Sequence, residues 1–285
     1  MAGAFHNPPM SARLHLFGPG IALMRRLRIP TKLALMGLFL MAPLLMLLAA
    51  TWRDGHTERE VALGEYEGAV IAQALLEVVD QTQRHRGLTN RAQSADTAAR
   101  DALPATRQAL TQALARVDAR LVDAHRVAVA PEWQRLRQRL AALAEGRHAA
   151  QRGEAFAEHS AAVEATRQLL LLVAERSGLL LDPLAETFFM MDIAIERMVP
   201  LSETLGVLRG QGAGILLREA SAVERALMLG RADLLQQQLL DLSAKVQALE
   251  RTGAKAPASW AAAREQAEGF ARHVRDTFGA EVVAG

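Results

Sequence analysis

A five-residue segment rich in cationic side chains, QRHRG at positions 83–87, is the part of the sequence best suited to bind a small charged ligand. His85 follows Val78 by seven residues, which places both on one side of a helix. Arg86 follows Leu75 by eleven residues and lies on that apolar side too. A buried guanidinium needs a carboxylate or an anionic ligand to offset its loss of hydration. Two alternatives follow: Arg86, assisted by His85, faces a small anion, or Arg86 pairs with an acidic residue of the protein at a helix end.

Two further arginines and a glycine series are secondary candidates. Arg197 and Arg209 are further candidates for ligand binding, although a structural or solvated role is favoured for each. Gly206, Gly210 and Gly214 are spaced by four residues, which on a helix gives a small-residue strip that permits close helix contact. The alternative is a backbone opening beside a ligand. A nucleotide-binding loop is disfavoured because no strand precedes these glycines.

Motifs of known catalytic chemistry are missing from the sequence. It has no HExxH, no Walker loop and no GxSxG, and its eight histidines are scattered. The chain has no cysteine, which excludes disulfides and thiolate metal sites. We therefore expect a protein that is not an enzyme and that uses no cofactor and no metal.

The charges are distributed unevenly along the chain. Residues 1–50 contain five basic residues and no acidic one, whereas the remainder contains 28 basic and 31 acidic residues. A nucleic-acid-binding domain needs basic clusters on its folded part. Because the longer part of this chain is slightly acidic, we expect no nucleic-acid partner.

An apolar segment at 33–52 has the length of a membrane span. Its 20 residues carry no charge, and at about 1.5 Å each they match a hydrocarbon core of about 30 Å. Pro43 lies mid-segment and predicts a kink. A cleaved signal peptide is the rival interpretation, but the basic leader is long and Leu48 is a poor residue at the −3 position of a cleavage site. The early cations place the N-terminus in the cytoplasm.

These observations divide the chain into a cytoplasmic basic leader (1–32), a transmembrane helix (33–52) and an outward-facing domain (53–285). The domain is predicted to be all-α because apolar residues recur with helical spacing and aromatic residues are only 4% of the chain. Its first stripe comprises Ile71, Leu75, Val78 and Thr82. We expect an elongated antiparallel helical bundle, either single or as two stacked bundles, that is continuous with the membrane helix and forms a homodimer in the lipid bilayer.

Turn residues predict where several helices begin and end. Pro131 suits the first turn of a helix that ends near Gly146. Gly178 is expected to end the following helix. Asp182 can cap the next helix and Pro183 can occupy its first turn.

Two stretches resemble a known family: QRHRGLTNR at 83–91 and SGLLLDPLAETFFMMDIAIERMVPLSETLGVLRGQGAG at 177–214. They are similar to the sensor region of bacterial methyl-accepting chemotaxis proteins, which also occurs in some sensor kinases and diguanylate cyclases. The Arg-Gly pair is also similar to nitrate- and nitrite-sensing helical-bundle domains. The resemblance implies a periplasmic sensor in the bacterial inner membrane, flanked by two membrane helices and followed by a HAMP relay and an output domain.

The sequence departs from this family pattern after Ala220. We find no second apolar run of 18 residues and no HAMP, kinase or chemotaxis coiled-coil motif. We therefore expect either a truncated receptor or a receptor that retains only its input half. The expected function is an input module that binds a small anionic ligand outside the membrane and passes a helix shift inward. The alternative is a membrane-tethered helical scaffold that binds a protein partner.

Overall fold

The computed structural model describes residues 25, 27–181, 183–216 and 220–279. Within these residues the chain is all-α, as predicted, and contains no strand. The α-helices are α1 (Ile29–Ala92), α2 (Thr97–Asp123), α3 (Ala130–Ala144), α4 (Arg152–Ser177), α5 (Ala185–Met191), α6 (Met198–Ile215), α7 (Ala222–Arg251) and α8 (Trp260–Gly279). A 3₁₀ turn (Leu179–Leu181) follows α4, and a π-helix (Asp192–Arg197) joins α5 to α6. The antiparallel arrangement and the stacking of two bundles stay predictions.

The chain divides into two compact units, Met1–Glu60 and Val61–Gly285. In the first unit, the apolar segment 33–52 lies within α1, and its large side chains are exposed, with Phe39 at 84%. Its length and composition are compatible with one membrane span. The helix continues through Pro43, and the kink there stays a prediction. Most of the basic leader lies outside the described residues.

The second unit contains a large apolar core that the first predicted stripe enters. Ile71, Leu75, Val78 and Thr82 are each at most 1% exposed. Ile71, Leu75 and Val78 pack in one cluster with apolar residues of α2, α3 and α4, because burying these faces together removes apolar surface from water. The opposite side of α1 stays solvated. There, Arg84 and Asp80 form the predicted ion pair, with side chains 66% and 48% exposed.

A separate apolar cluster lies among α6, α7 and α8. Met228, Leu235 and Leu242 of α7 recur every seven residues and are at most 1% exposed. They pack with Leu208 of α6 and Phe278 of α8. The apolar core of the second unit is therefore formed by two clusters.

Most of the predicted helix boundaries are confirmed. Pro131 occupies the first turn of α3, and Gly178, at φ +88°, ends α4 in the left-handed conformation that glycine tolerates. The predicted start of the next helix is wrong at Pro183. Because Leu184 keeps an extended backbone (ψ 118°), α5 begins only at Ala185. Asp182, the predicted cap, lies outside the described residues.

The π-helix directly precedes Pro200 and accommodates its missing backbone N–H. Pro200 lies in the first turn of α6, directly after the π-helix. Because proline has no N–H, it cannot donate to the carbonyl of Glu196, and the regular hydrogen-bond ladder is interrupted there. A wider turn before a proline accommodates that interruption. The segment from α5 to α6 therefore contains a local change of helical register.

Candidate functional site

His85 and Arg86 are both buried, at 0% and 1% exposure, as their spacing predicts. Because consecutive helical residues project about 100° apart, the two side chains meet different neighbours. His85 contacts α4, while Arg86 reaches both α4 and α6. The segment 83–87 therefore contributes to two adjacent groups of contacts, one around His85 and one around Arg86.

The guanidinium of Arg86 is held by the protein itself. Its Nη1 donates to Ser160 Oγ at 2.7 Å and forms an ion pair with Glu203 of α6. Its Cζ lies 4.6 Å from the ring centre of Phe156, in cation–π geometry. Of the two alternatives, the geometry corresponds to pairing with a protein acid. Nη2 is buried and has no hydrogen-bond partner among the described residues, and a direct contact of Arg86 with an anion stays a prediction.

A row of polar contacts, which we call the polar seam, joins α1 to α6. Gln83 Nε2 donates to Glu203 Oε2 at 3.0 Å, and Arg86 binds the other oxygen of that carboxylate. One turn further along α1, Asn90 Nδ2 donates to the Gly210 carbonyl at 3.1 Å. The seam thereby brings together the two stretches that carry the family resemblance, 83–91 and 177–214.

The glycine strip on α6 provides the space that the seam needs. A Cβ at Gly206 would lie 2.6 Å from Arg86 Nη2, and one at Gly210 would lie 2.5 Å from the Phe156 ring. Both distances are shorter than real Cβ contacts. The groups that approach the strip are side chains of α1 and α4, and the predicted close contact between helices stays a prediction.

A cavity of about 200 Å³ lies at the end of the polar seam, and we call it the arginine cavity. Arg152 of α4 and Arg231 of α7 both line it. Arg152 Nη1 donates to Ser94 Oγ at 2.8 Å, and Arg231 donates to Gln211 Oε1. Among the described residues, neither arginine forms an ion pair. Other lining residues include Asn90, Phe156, Gly210, Gly214, Leu227 and Met228.

The arginine cavity combines positive charge with an apolar wall. Among the described residues its lining contains one carboxylate, that of Glu224, which caps α7 by accepting from the Ser221 backbone and hydroxyl. The absence of a side chain at Gly214 leaves room for Arg152, because a Cβ there would lie 2.8 Å from Arg152 Nη2. The glycine strip therefore also faces a cavity, which was the second interpretation of its spacing.

On the neighbouring face of α1, His85 and His159 form a buried histidine pair. His159 Nδ1 lies 2.6 Å from the Ala155 carbonyl and must donate to it. In a neutral ring, His159 Nε2 is then an acceptor, so His85 Nδ1 donates to it across 2.8 Å. His85 Nε2 is left as an acceptor, buried and without a partner among the described residues.

Burial keeps both imidazoles neutral. It lowers the pKa of His85 to about 3, with further lowering by His159, Arg107 and His148. It lowers the pKa of His159 to about 4, against the opposing effect of the Ala155 carbonyl. Both rings are therefore uncharged at neutral pH.

Arg197 and Arg209 do not join His85 or Arg86. Arg197 lies in the π-helix, where it pairs with Asp192 and with Asp241 of α7, and Lys245 reaches Asp192 at 3.0 Å. Arg209 is exposed on α6. The network around Arg197 corresponds to the structural role. A ligand-binding role for either arginine stays a prediction.

Sequence reasoning did not identify the partners of the predicted residues. Glu203 was missed because an arginine paired over 117 positions leaves no local spacing signal. His159 was identifiable, since it precedes Val163 by one helical turn and both are fully buried. Arg152 and Arg231 have no such signal, because each opens toward a cavity formed by distant segments.

The Arg86–Glu203 pair is expected to stabilise the fold. Glu203→Gln keeps the shape but leaves a buried guanidinium without its countercharge, so we expect the free energy of unfolding to fall by about 3 kcal/mol. The double variant Arg86→Met/Glu203→Gln should recover part of that loss, with a coupling energy of about 1–3 kcal/mol. Denaturation of the full chain in detergent, followed by circular dichroism, measures this.

The exposed ion pair Arg84–Asp80 on the same helix is the matched control for the Arg86 and Glu203 variants. Arg84→Met removes an ion pair that is largely solvated, so a change below about 0.5 kcal/mol is expected. Equal losses for Glu203→Gln and Arg84→Met would show that Arg86 is not buried against Glu203.

The histidine pair predicts a loss of stability in mild acid. The unfolded chain binds protons at pKa 6.5, whereas the folded rings bind them only near 3 and 4. Stability is therefore complete above pH 6.5 and falls as the pH drops below it. From pH 7.5 to 5.5, each ring should contribute a loss of about 1.4 kcal/mol. Denaturation at both pH values measures the free energy of unfolding. Between them this energy should fall by about 2–3 kcal/mol more in the wild type than in His85→Asn/His159→Gln. Equal losses in the two proteins would contradict the assignment of two buried neutral histidines.

Comparisons with protein-family models, with curated proteins and with solved structures give no match for this chain. The resemblance to chemoreceptor sensor regions therefore rests on the two stretches 83–91 and 177–214. What the structure adds is that these stretches contact each other through the polar seam.

Proposed function

We propose that this chain is the input module of a bacterial transmembrane receptor, of the chemoreceptor type, that binds a small anionic ligand outside the membrane. In this role the protein is not an enzyme. The observation that carries the proposal is the arginine cavity, where two guanidinium groups converge beside an apolar wall. A concave site with a few convergent polar groups is typical of small-molecule binding.

The charge of the cavity favours an anion. Arg152 and Arg231 each use a hydrogen bond to a neutral oxygen and, among the described residues, have no carboxylate partner. Arginine forks bind carboxylates and other oxyanions with charge-assisted hydrogen bonds. The volume equals that of about six or seven water molecules at about 30 Å³ each, so the ligand is small.

The position of Asn90 offers a route for a signal. Asn90 lines the arginine cavity, binds the Gly210 carbonyl and belongs to α1, the helix that also contains the apolar segment 33–52. A ligand that binds better when the Asn90–Gly210 contact changes would shift α1 against α6. We propose this shift as the output of the module, in a homodimer with its N-terminus in the cytoplasm.

The rival function is a membrane-tethered scaffold for a protein partner. It requires an exposed apolar seam and no internal polar pocket. Exposed apolar side chains do occur on α7, at Val223, Leu234 and Leu240. The enclosed Arg86 and the arginine cavity support sensing, because a scaffold needs neither a buried guanidinium nor two half-buried arginines that line a cavity.

Calorimetric titration tests the proposal with the full chain in lipid nanodiscs, against a panel of small carboxylates and inorganic oxyanions. We expect at least one of them to bind, and Arg231→Met to weaken that binding at least about tenfold because a charge-assisted contact is lost. Arg84→Met removes an exposed arginine of α1 and should change nothing.

Two results would contradict sensing at this cavity. One is that no member of the panel binds to the wild-type chain. The other is that Arg231→Met, with an unchanged circular dichroism spectrum, binds as tightly as the wild type.

A further inference from the structure

Four buried polar atoms without a hydrogen-bond partner among the described residues lie on α1, on the residue that directly follows it and on α2. They are His85 Nε2, Thr89 Oγ1, Gln93 Oε1 and Arg107 Nε, and we call these residues the Arg107 cluster. The side chains of His85 and Thr89 are 0% and 3% exposed. Buried polar atoms nearly always have partners, since an unpaired one costs free energy. The cluster therefore has unused capacity for hydrogen bonds.

The cluster residues on α1 lie along one side of that helix. His85, Thr89 and Gln93 follow each other at intervals of four residues, so each is about one turn from the next. Gln93 Nε2 donates to the carbonyls of Ala149 and Ala150, at 3.4 and 3.3 Å. The row thereby ends at the connection between α3 and α4.

Arg107 of α2 approaches the same connection. Its Nη2 would lie 2.6 Å from a Cβ at Gly146, which shows how closely the guanidinium covers this glycine. The connection also carries His148, whose ring centre is 5.8 Å from that of His159. Arg107 and His148 both act electrostatically on His85. Gln93 and Arg107 thus both contact this short connection, and His85 feels the charge of Arg107.

The charges around His85 are predominantly positive. The groups that face the histidine pair are Arg107 from α2, His148 from the connection, Glu158 from α4 and Arg86 from α1. Glu203 neutralises Arg86, and Glu158 accepts from the backbone N–H of Ala149 at 2.9 Å. Arg107 has no ion pair among the described residues. An anion placed here would meet an uncompensated cation.

We propose that the Arg107 cluster binds a small oxyanion together with one proton. The anion accepts from Arg107 Nε–H and from the Thr89 hydroxyl. The proton comes from a solvent hydronium ion: one of its O–H bonds breaks, an N–H bond forms at His85 Nε2, and a neutral water molecule is released. His85 then donates to the anion through Nε2 and still donates to His159 through Nδ1. The negative charge of the anion offsets the repulsion between Arg107 and a protonated His85, which is why protonation of His85 becomes favourable.

Because anion binding is coupled to proton uptake, its pH dependence distinguishes this site from an ordinary anion site. Without the anion His85 is neutral, because burial and Arg107 lower its pKa to about 3. If binding adds one proton, the affinity must rise up to tenfold for each unit by which the pH falls. An anion site formed by arginines alone has no such dependence, since arginine keeps its charge throughout.

Formate is a suitable probe, and the full chain in lipid nanodiscs is titrated with it calorimetrically at pH 7 and pH 5. To separate the two sites, the titration uses Arg231→Met, which lacks one guanidinium of the arginine cavity. We expect formate to bind to this variant and its affinity to rise by up to about 100-fold from pH 7 to pH 5. Arg107→Met should abolish binding, while Arg84→Met, which changes an exposed arginine of α1, should leave it unchanged.

His85→Asn, added to Arg231→Met, should bind formate weakly and without pH dependence. Thr89→Val keeps the shape of its side chain and removes the hydroxyl, so it provides a second variant if His85→Asn does not fold; it should weaken binding about tenfold through a lost hydrogen bond. The proposal is overturned if formate does not bind at either pH, if its binding is independent of pH, or if Arg107→Met binds equally well. None of these outcomes affects the proposal for the arginine cavity, which the loss caused by Arg231→Met tests separately.

Discussion

The buried guanidinium of Arg86 is the constraint on which the arrangement around α1 depends. A charge that is 1% exposed must be compensated, and Glu203 of α6 provides the carboxylate. The aromatic face of Phe156 covers the guanidinium, and the absence of a side chain at Gly206 leaves room for it. One buried charge therefore specifies the identities of three other positions and the pairing of α1 with α6.

The two neighbouring faces of α1 use different physical solutions for buried polar groups. On the Arg86 face the charge is kept and paired. On the His85 face a charge is avoided. Two neutral imidazoles, those of His85 and His159, share one hydrogen bond, and His159 also donates to the Ala155 carbonyl. Because the two faces are adjacent, α1 contributes to the Arg86–Glu203 ion pair, to the arginine cavity and to the Arg107 cluster. A helix of this kind is well suited to respond to a small ligand.

The sequence predicted those features that depend on local spacing. The stripe from Ile71 to Thr82, the ends of α3 and α4 and the burial of His85 and Arg86 all follow from helical periodicity and turn chemistry. The start of α5 was placed too early at Pro183, since a proline permits a helix start but does not require one. The partners of Arg86 and the cavity arginines depend on which helices meet, and no local spacing encodes that. Sequence reasoning gave the requirement for a countercharge, and the structure identified Glu203.

The central claim is that the polar seam brings α1 against α6 with Gln83 facing Ser202, whose side-chain atoms Nε2 and Oγ are 3.2 Å apart. The chain contains no cysteine, so two introduced cysteines can be cross-linked without competition. In the full chain in nanodiscs, Gln83→Cys/Ser202→Cys should form an intramolecular link with a short bifunctional thiol reagent. The control pair Arg84→Cys/Ser202→Cys should not, because Arg84 is on the solvated side of α1. Equal cross-linking of both pairs, or none in the first, would contradict the account.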